Sequence, residues 1–80
     1  MGPVIFVDTS AVVAVVAHEV DRSDFIEGLL AAHRRLTSPV VRLEACMALA
    51  RLLDLSVKVA RQRYEKFLSK ADVEEIPVTA

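Results

Sequence analysis

The chain has 80 residues, a mass of 8.8 kDa and a net charge of −1 at pH 7, which corresponds to one small domain. A hydrophobic fraction of 54% with almost no net charge excludes intrinsic disorder, and the near-neutral balance gives no global nucleic-acid signature. A single cysteine excludes a disulfide scaffold and favours a reducing cytoplasm, and no apolar run reaches the roughly 18 residues of a membrane span.

The first predicted element is a buried strand over Val4–Val7, where β-branched and aromatic residues make both faces apolar. Asp8, Thr9 and Ser10 follow at once, and each of them can cap a helix. Ala11–Ala17 is apolar throughout and predicts a buried helix. A strand that leads directly into a helix is the unit from which parallel sheets are built.

The middle of the chain predicts two more helices and a short strand. The second helix starts after Asp21 and ends near Arg34, and Leu36–Thr37 is at most a short strand. Ser38 followed by Pro39 marks the start of a third helix, which extends to about residue 53. The inner face of the second helix is expected to consist of Phe25, Ile26, Leu29, Leu30 and His33.

The last part of the chain predicts a fourth helix from Ser56 and a strand over Val73–Val78. The inner positions of this helix are expected to be Val57, Ala60, Tyr64, Phe67 and Ala71. The basic residues of this helix are Lys58, Arg61, Arg63, Lys66 and Lys70. They form either a face that contacts phosphate or, as the preferred interpretation, the solvated side of the helix. Strands that alternate with helices predict an α/β fold with a parallel sheet.

Asp8 is the first candidate site residue, because ligands of open α/β folds bind at the carboxyl edge of the sheet. The alternative is that Asp8 only caps the following helix. Glu44 is the second candidate, since its neighbours at helical spacing are apolar and predict a buried carboxylate. Such a group needs either an arginine from another element, such as Arg61 or Arg63, or a hard cation such as Mg²⁺ or Mn²⁺. Cys46 is expected to fill the core.

Three segments of the sequence resemble PIN domains, especially the VapC-type toxins. The segment from Val4 to Ala11 is similar to their opening strand with its first acidic residue. The segment from Ser38 to Glu44 is similar to the second motif, and Ile76-Pro77-Val78-Thr79 resembles the strand that follows. Order and spacing agree across essentially the whole chain, although the first motif alone has little specificity.

The resemblance implies a compact α/β fold and a Mg²⁺- or Mn²⁺-dependent endoribonuclease of a toxin–antitoxin pair. Asp8 and Glu44 would be metal ligands and catalytic residues, with Ser10 and Thr9 as supporting polar groups. The implied partners are an RNA substrate, a VapB-like antitoxin and a second copy in a homodimer, in the cytoplasm and without a membrane.

Family domains continue beyond the segment that matches here, with further acidic residues. We therefore expect residues 1–80 to form a single, incomplete PIN-like domain that is truncated on its C-terminal side and inactive alone. The missing part would cover apolar surface, consistent with a mean hydropathy of +0.40. The alternative is an inactive PIN-like module for dimerisation or antitoxin binding, or a structural fragment in which Glu44 pairs with an arginine.

Overall fold

The computed structural model describes residues 2–77, which form a three-stranded sheet with four helices. In chain order the elements are β1 (Val4–Phe6), α1 (Thr9–Val16), α2 (Arg22–Ala31), β2 (Arg34–Thr37), α3 (Pro39–Leu52), α4 (Val57–Ala71) and β3 (Val73–Glu75). The strand order is β1-β2-β3 and both pairings are parallel, with Phe6 opposite Leu36 and Leu36 opposite Glu74. The predicted α/β class with a parallel sheet is confirmed.

Three of the helices begin at a side chain that caps them. Asp8, Ser38 and Ser56 each accept a hydrogen bond from the backbone N–H three residues later, at 3.0, 3.3 and 3.2 Å. Each of these bonds satisfies a donor that the first turn of a helix otherwise leaves unpaired. The sequence predicted all three starts, because capping depends on residues within one turn. Asp21 precedes α2 as predicted, but its side chain makes no capping bond.

The core lies between the sheet, α1, α3 and α4. Helix α1 is buried over Ala11–Ala14, as its uniformly apolar sequence predicted. The largest fully buried side chains are Tyr64, Leu49, Val7, Val12 and Thr37. Two of these residues, Tyr64 and Thr37, carry hydroxyl groups, so the core is not purely apolar beneath the carboxyl edge of the sheet.

Strand β1 is an edge strand, and the prediction that both of its faces are buried was wrong. The side chains of Val4 and Phe6 are 56% and 59% exposed, while Ile5 is half-buried. Among residues 2–77, the strand pairs with β2 on one side and with no strand on the other. Its apolar sequence is typical of a central strand, so the local composition did not indicate that β1 lies at an edge.

Helix α2 ends earlier than predicted and buries less. It stops at Ala31, and β2 begins three residues later at Arg34, so the basic pair lies in the strand. Leu30 is 78% exposed and His33 is also exposed, whereas Leu29 is buried. A 10-residue helix that crosses the surface presents only one narrow face to the core. Of the predicted last strand, Val73–Glu75 is present, and Val78 lies outside the described residues.

Several large apolar side chains are exposed, three of them on one face of α3. Val40, Leu43 and Met47 are 55%, 63% and 57% exposed. Val57, predicted to face inward from α4, is 59% exposed. No helix within residues 2–77 has the length and apolar character to cross a bilayer.

The two glycines are expected to respond in opposite directions to replacement by alanine. A Cβ at Gly2 would lie 2.3 Å from the carbonyl oxygen of Ala31, while one at Gly28 would meet nothing within 4 Å. Gly28 lies inside α2, so Gly28→Ala should raise the free energy of unfolding by about 0.5–1 kcal/mol. Gly2→Ala should lower it by about 1 kcal/mol through the backbone clash. Urea unfolding of both variants tests this, and a loss of stability in Gly28→Ala would contradict it.

Candidate active site at the carboxyl edge of the sheet

Hydrogen bonds hold the carboxyl ends of the three strands side by side. The backbone N–H of Val7 donates to the carbonyl oxygen of Leu36 at 2.6 Å, and that of Ile76 donates to Thr37 at 2.8 Å. The buried hydroxyl of Thr37 donates to the carbonyl oxygen of Val7 at 2.9 Å. The residue immediately before Asp8 is therefore fixed to the end of β2 through both its N–H and its carbonyl oxygen.

Asp8 is exposed at this edge, where β1 leads into α1. Its Oδ1 accepts the capping bond from the N–H of Ala11, and within residues 2–77 its Oδ2 makes no hydrogen bond. The capping bond is therefore present, and it leaves one carboxylate oxygen available to solvent. Thr9 is half-buried as the first residue of α1, and Ser10 is exposed beside it. The N-terminus of α1 favours negative charge at this position.

Glu44 is exposed, so the prediction of a carboxylate buried on an apolar stripe was wrong. Helix α3 is apolar on most sides, and the face that enters the core is formed by Val41, Ala45 and Leu49. Glu44 lies on the outer face with the exposed residues Val40 and Met47. Its carboxylate makes no ion pair with any residue from 2 to 77, so the expected pairing with an arginine is absent there.

Asp8 and Glu44 belong to neighbouring helices that start at the same edge of the sheet. Helix α1 packs against α3, and α3 begins at Ser38, directly after the strand to which Val7 is bound. Across residues 2–77, no three His, Cys, Asp or Glu side chains are grouped so that they could hold a metal ion. Carboxylate oxygens are ligands that Mg²⁺ prefers, and a hydrated Mg²⁺ takes only one or two of them before water and substrate phosphate complete its shell.

Arg42 links three elements next to this edge, and the sequence did not indicate this role. Its Nε donates to Glu75 Oε1 at 2.8 Å, and its Nη1 donates to Glu65. The guanidinium also lies over the ring of Tyr64, 5.2 Å from the ring centre. The hydrogen bond to Glu65 raises the pKa of Arg42 above its usual value, and the hydrogen bond to Glu75 adds to this effect. Burial of the guanidinium acts in the opposite direction but is outweighed. The partners lie 23 and 33 residues away in sequence, and no local pattern connects them.

Two buried ionisable side chains, those of Cys46 and Tyr64, lie beneath the carboxyl edge of the sheet. Cys46 is a free, buried cysteine, as predicted, and burial raises the pKa of its thiol. Burial also raises the pKa of Tyr64, and the neighbouring Thr37 side chain opposes this effect only in part. Within residues 2–77 the Tyr64 hydroxyl has no hydrogen-bond partner of good geometry. The core thus contains a phenol that resists ionisation.

We expect Tyr64→Phe to leave the protein at least as stable at neutral pH and to reduce its loss of stability in alkali. A buried hydroxyl without a partner contributes little to stability. Because folding raises its pKa, Tyr64 contributes stability that is fully present below about pH 10 and is lost as the pH rises further. Urea unfolding between pH 7 and pH 11 checks both points. A variant that is clearly less stable at pH 7 would show that the hydroxyl does have a partner.

The chain was compared with known protein families and with curated proteins. A family model described as PIN domain matches residues 5–80, which include all of β1 except Val4, together with Asp8 and the whole of α3. The comparison with curated proteins gave no match.

Proposed function

The chain belongs to the PIN-domain family, whose members are typically nucleases that use divalent metal ions, and we propose that it is a Mg²⁺- or Mn²⁺-dependent endoribonuclease of the VapC toxin type. The observation that carries the proposal is Asp8, an exposed carboxylate at the end of β1 with one oxygen outside its capping bond. Glu44, on the adjacent helix, is the second carboxylate of the proposed site.

In this proposal Asp8 and Glu44 would hold the ion, which when bound would lower the pKa of water and so supply a nucleophile for a phosphodiester. The chain's own residues hold the site in place. Asp8 keeps its position because the capping bond and the two hydrogen bonds of Val7 fix the backbone on both sides. Ser10 and Thr9 are the proposed supporting polar groups. With two carboxylates only, we expect weak binding of the ion.

The proposed partners are an RNA substrate, a VapB-like antitoxin and a second copy of the chain, in the reducing cytoplasm. The exposed apolar face of α3 supports an interaction with protein, because Val40, Leu43 and Met47 surround Glu44. An antitoxin that covered this face would also cover the second carboxylate of the proposed site and thereby stop cleavage.

The proposal is tested by incubating the full-length gene product with labelled RNA in the presence of Mg²⁺, Mn²⁺ or EDTA. We expect cleavage that depends on the divalent ion and stops with EDTA. Binding of Mn²⁺, followed by its electron paramagnetic resonance signal, gives a second measurement that does not need turnover. Cleavage that continues in EDTA would contradict the proposed mechanism.

The same exposed face of α3 favours one alternative, an inactive PIN-like module for dimerisation or antitoxin binding. This alternative predicts a stable oligomer with no metal-dependent cleavage. Light scattering of the chain and of Leu43→Lys distinguishes the two functions when combined with the cleavage assay. A monomer that cleaves RNA supports the nuclease, and a dimer that Leu43→Lys separates, without cleavage, supports the module.

A further inference from the structure

A concave site lies at the opposite, amino edge of the sheet. It is a groove of about 800 Å³ between the end of α1, helix α2 and helix α4. Its floor is apolar, with Val15, Ile26, Leu29 and Phe67 among the residues that line it. The volume is in the range of ligand-binding clefts.

The rim of this groove is strongly basic although the whole chain is slightly acidic. Five cationic side chains line it, accompanied by a single carboxylate, that of Asp72. Three of the five, Arg63, Lys66 and Lys70, form one row along α4 at helical spacing and are exposed. The other basic residues of α4, Lys58 and Arg61, do not line the groove. The structure thus divides the basic residues of α4 into a row along the groove and a solvated remainder.

The two remaining cations of the rim are held in place by backbone carbonyl groups. Arg22 donates through Nε to the carbonyl oxygen of Val15 at 2.9 Å. Arg35 donates through Nη1 to the carbonyl oxygens of Leu29 and Ala32 at 2.6 and 3.1 Å. Neither guanidinium is neutralised by a carboxylate within residues 2–77. Both therefore have further N–H donors that no carboxylate occupies and that an anion at the groove can accept from.

We infer that this groove is an RNA-binding site outside the cleavage centre, which contacts the phosphates of a single strand through the rim and its bases through the apolar floor. The inference rests on the proposed function, because it takes RNA as the substrate. Helix α1 is capped by Asp8 at one end and reaches the groove at its other end, about 12 Å away along its axis. A strand of a few nucleotides can span that distance.

Charge complementarity favours RNA over an acidic peptide as the occupant. RNA carries a phosphate at every nucleotide, so a strand in any register can neutralise several of the five cations. A peptide would need acidic side chains at matched positions. Three of the five cations are arginines, whose planar groups both stack on bases and donate paired hydrogen bonds to phosphate.

The test compares two triple variants that remove the same number of charges. The groove variant is Arg63→Gln, Lys66→Gln and Lys70→Gln, and the control is Arg51→Gln, Lys58→Gln and Arg61→Gln. All six positions are exposed on helices, and glutamine keeps a high helix propensity. Binding of a labelled single-stranded RNA of about 16 nucleotides is measured by fluorescence anisotropy in EDTA, so that cleavage plays no part.

We expect the groove variant to bind the RNA at least about tenfold more weakly than the unmodified chain. The slope of log K against the logarithm of the salt concentration should become less steep by about 2. The control variant should lose clearly less affinity. Equal losses, or no loss in the groove variant, would overturn the inference. So would a groove variant that keeps its RNA affinity but no longer binds a labelled acidic amphipathic peptide. Failure of the proposed nuclease is seen separately, because binding in EDTA with no cleavage in Mg²⁺ or Mn²⁺ would leave the groove intact and reject only the activity.

Discussion

Replacing Asp8 with asparagine is expected to reduce metal-dependent RNA cleavage by at least about 100-fold while the protein stays folded. Asparagine caps helices as well as aspartate does, so the bond to the Ala11 N–H and the start of α1 should persist. The substitution removes the negative charge that a divalent ion requires. Removing a residue that only hydrogen-bonds to a metal ligand already reduces metal affinity or activity by about 10–100-fold, and removing a ligand itself should reduce them further.

Two further variants show whether this effect belongs to the site. Glu44→Gln should reduce cleavage comparably, since it neutralises the second proposed ligand. Asp24→Asn removes a carboxylate from the first turn of α2 and should leave cleavage unchanged. Each variant is also measured for Mn²⁺ binding, which reports on the site even if turnover is slow. Cleavage and Mn²⁺ binding that are both unaffected in Asp8→Asn would reject Asp8 as a ligand.

Leu49→Ala is expected to be the most destabilising single substitution considered for this chain, with a loss of about 2–5 kcal/mol in the free energy of unfolding. Leu49 is fully buried on the inner face of α3, where it belongs to the same cluster as Tyr64. Truncation removes apolar contacts and leaves a cavity. A chain of 80 residues has a total stability of only about 4–12 kcal/mol, so this loss can unfold much of the population.

Leu43→Ala provides the matched control, because it makes the same chemical change on the same helix. Leu43 is 63% exposed, and its truncation should cost no more than about 0.5 kcal/mol. Thermal unfolding followed by circular dichroism should show a Tm at least about 8 °C lower for Leu49→Ala. Similar Tm values for the two variants would mean that the assignment of inner and outer faces of α3 is wrong.

The features that the sequence predicted well are those that depend on neighbouring residues. The caps at Asp8, Ser38 and Ser56 were predicted because a capping side chain bonds to the backbone three residues later. The alternation of strands and helices, and hence the parallel sheet, followed from short apolar runs and their flanking polar residues. The placement of Asp8 at the carboxyl edge followed from the order of β1 and α1 alone.

The inward face of α3 could not be predicted in the same way. Its sequence is apolar on most sides, so periodicity does not separate the buried residue Leu49 from the exposed residue Met47. Glu44 was expected to be buried for this reason and is exposed. Only the packing of α3 against α1 and α4 selects which apolar side chains enter the core.

The sequence by itself determined the class of fold, the helix starts and the position of the first carboxylate, because these depend on local propensity and chain order. The tertiary structure decided the network around Arg42, whose partners are distant in sequence, and the groove whose cations come from α2, β2 and α4. It also decided that β1 lies at an edge. The physical reason is that ion pairs, grooves and the burial of a strand depend on which helices and strands pack together. The local sequence carries little information about this packing.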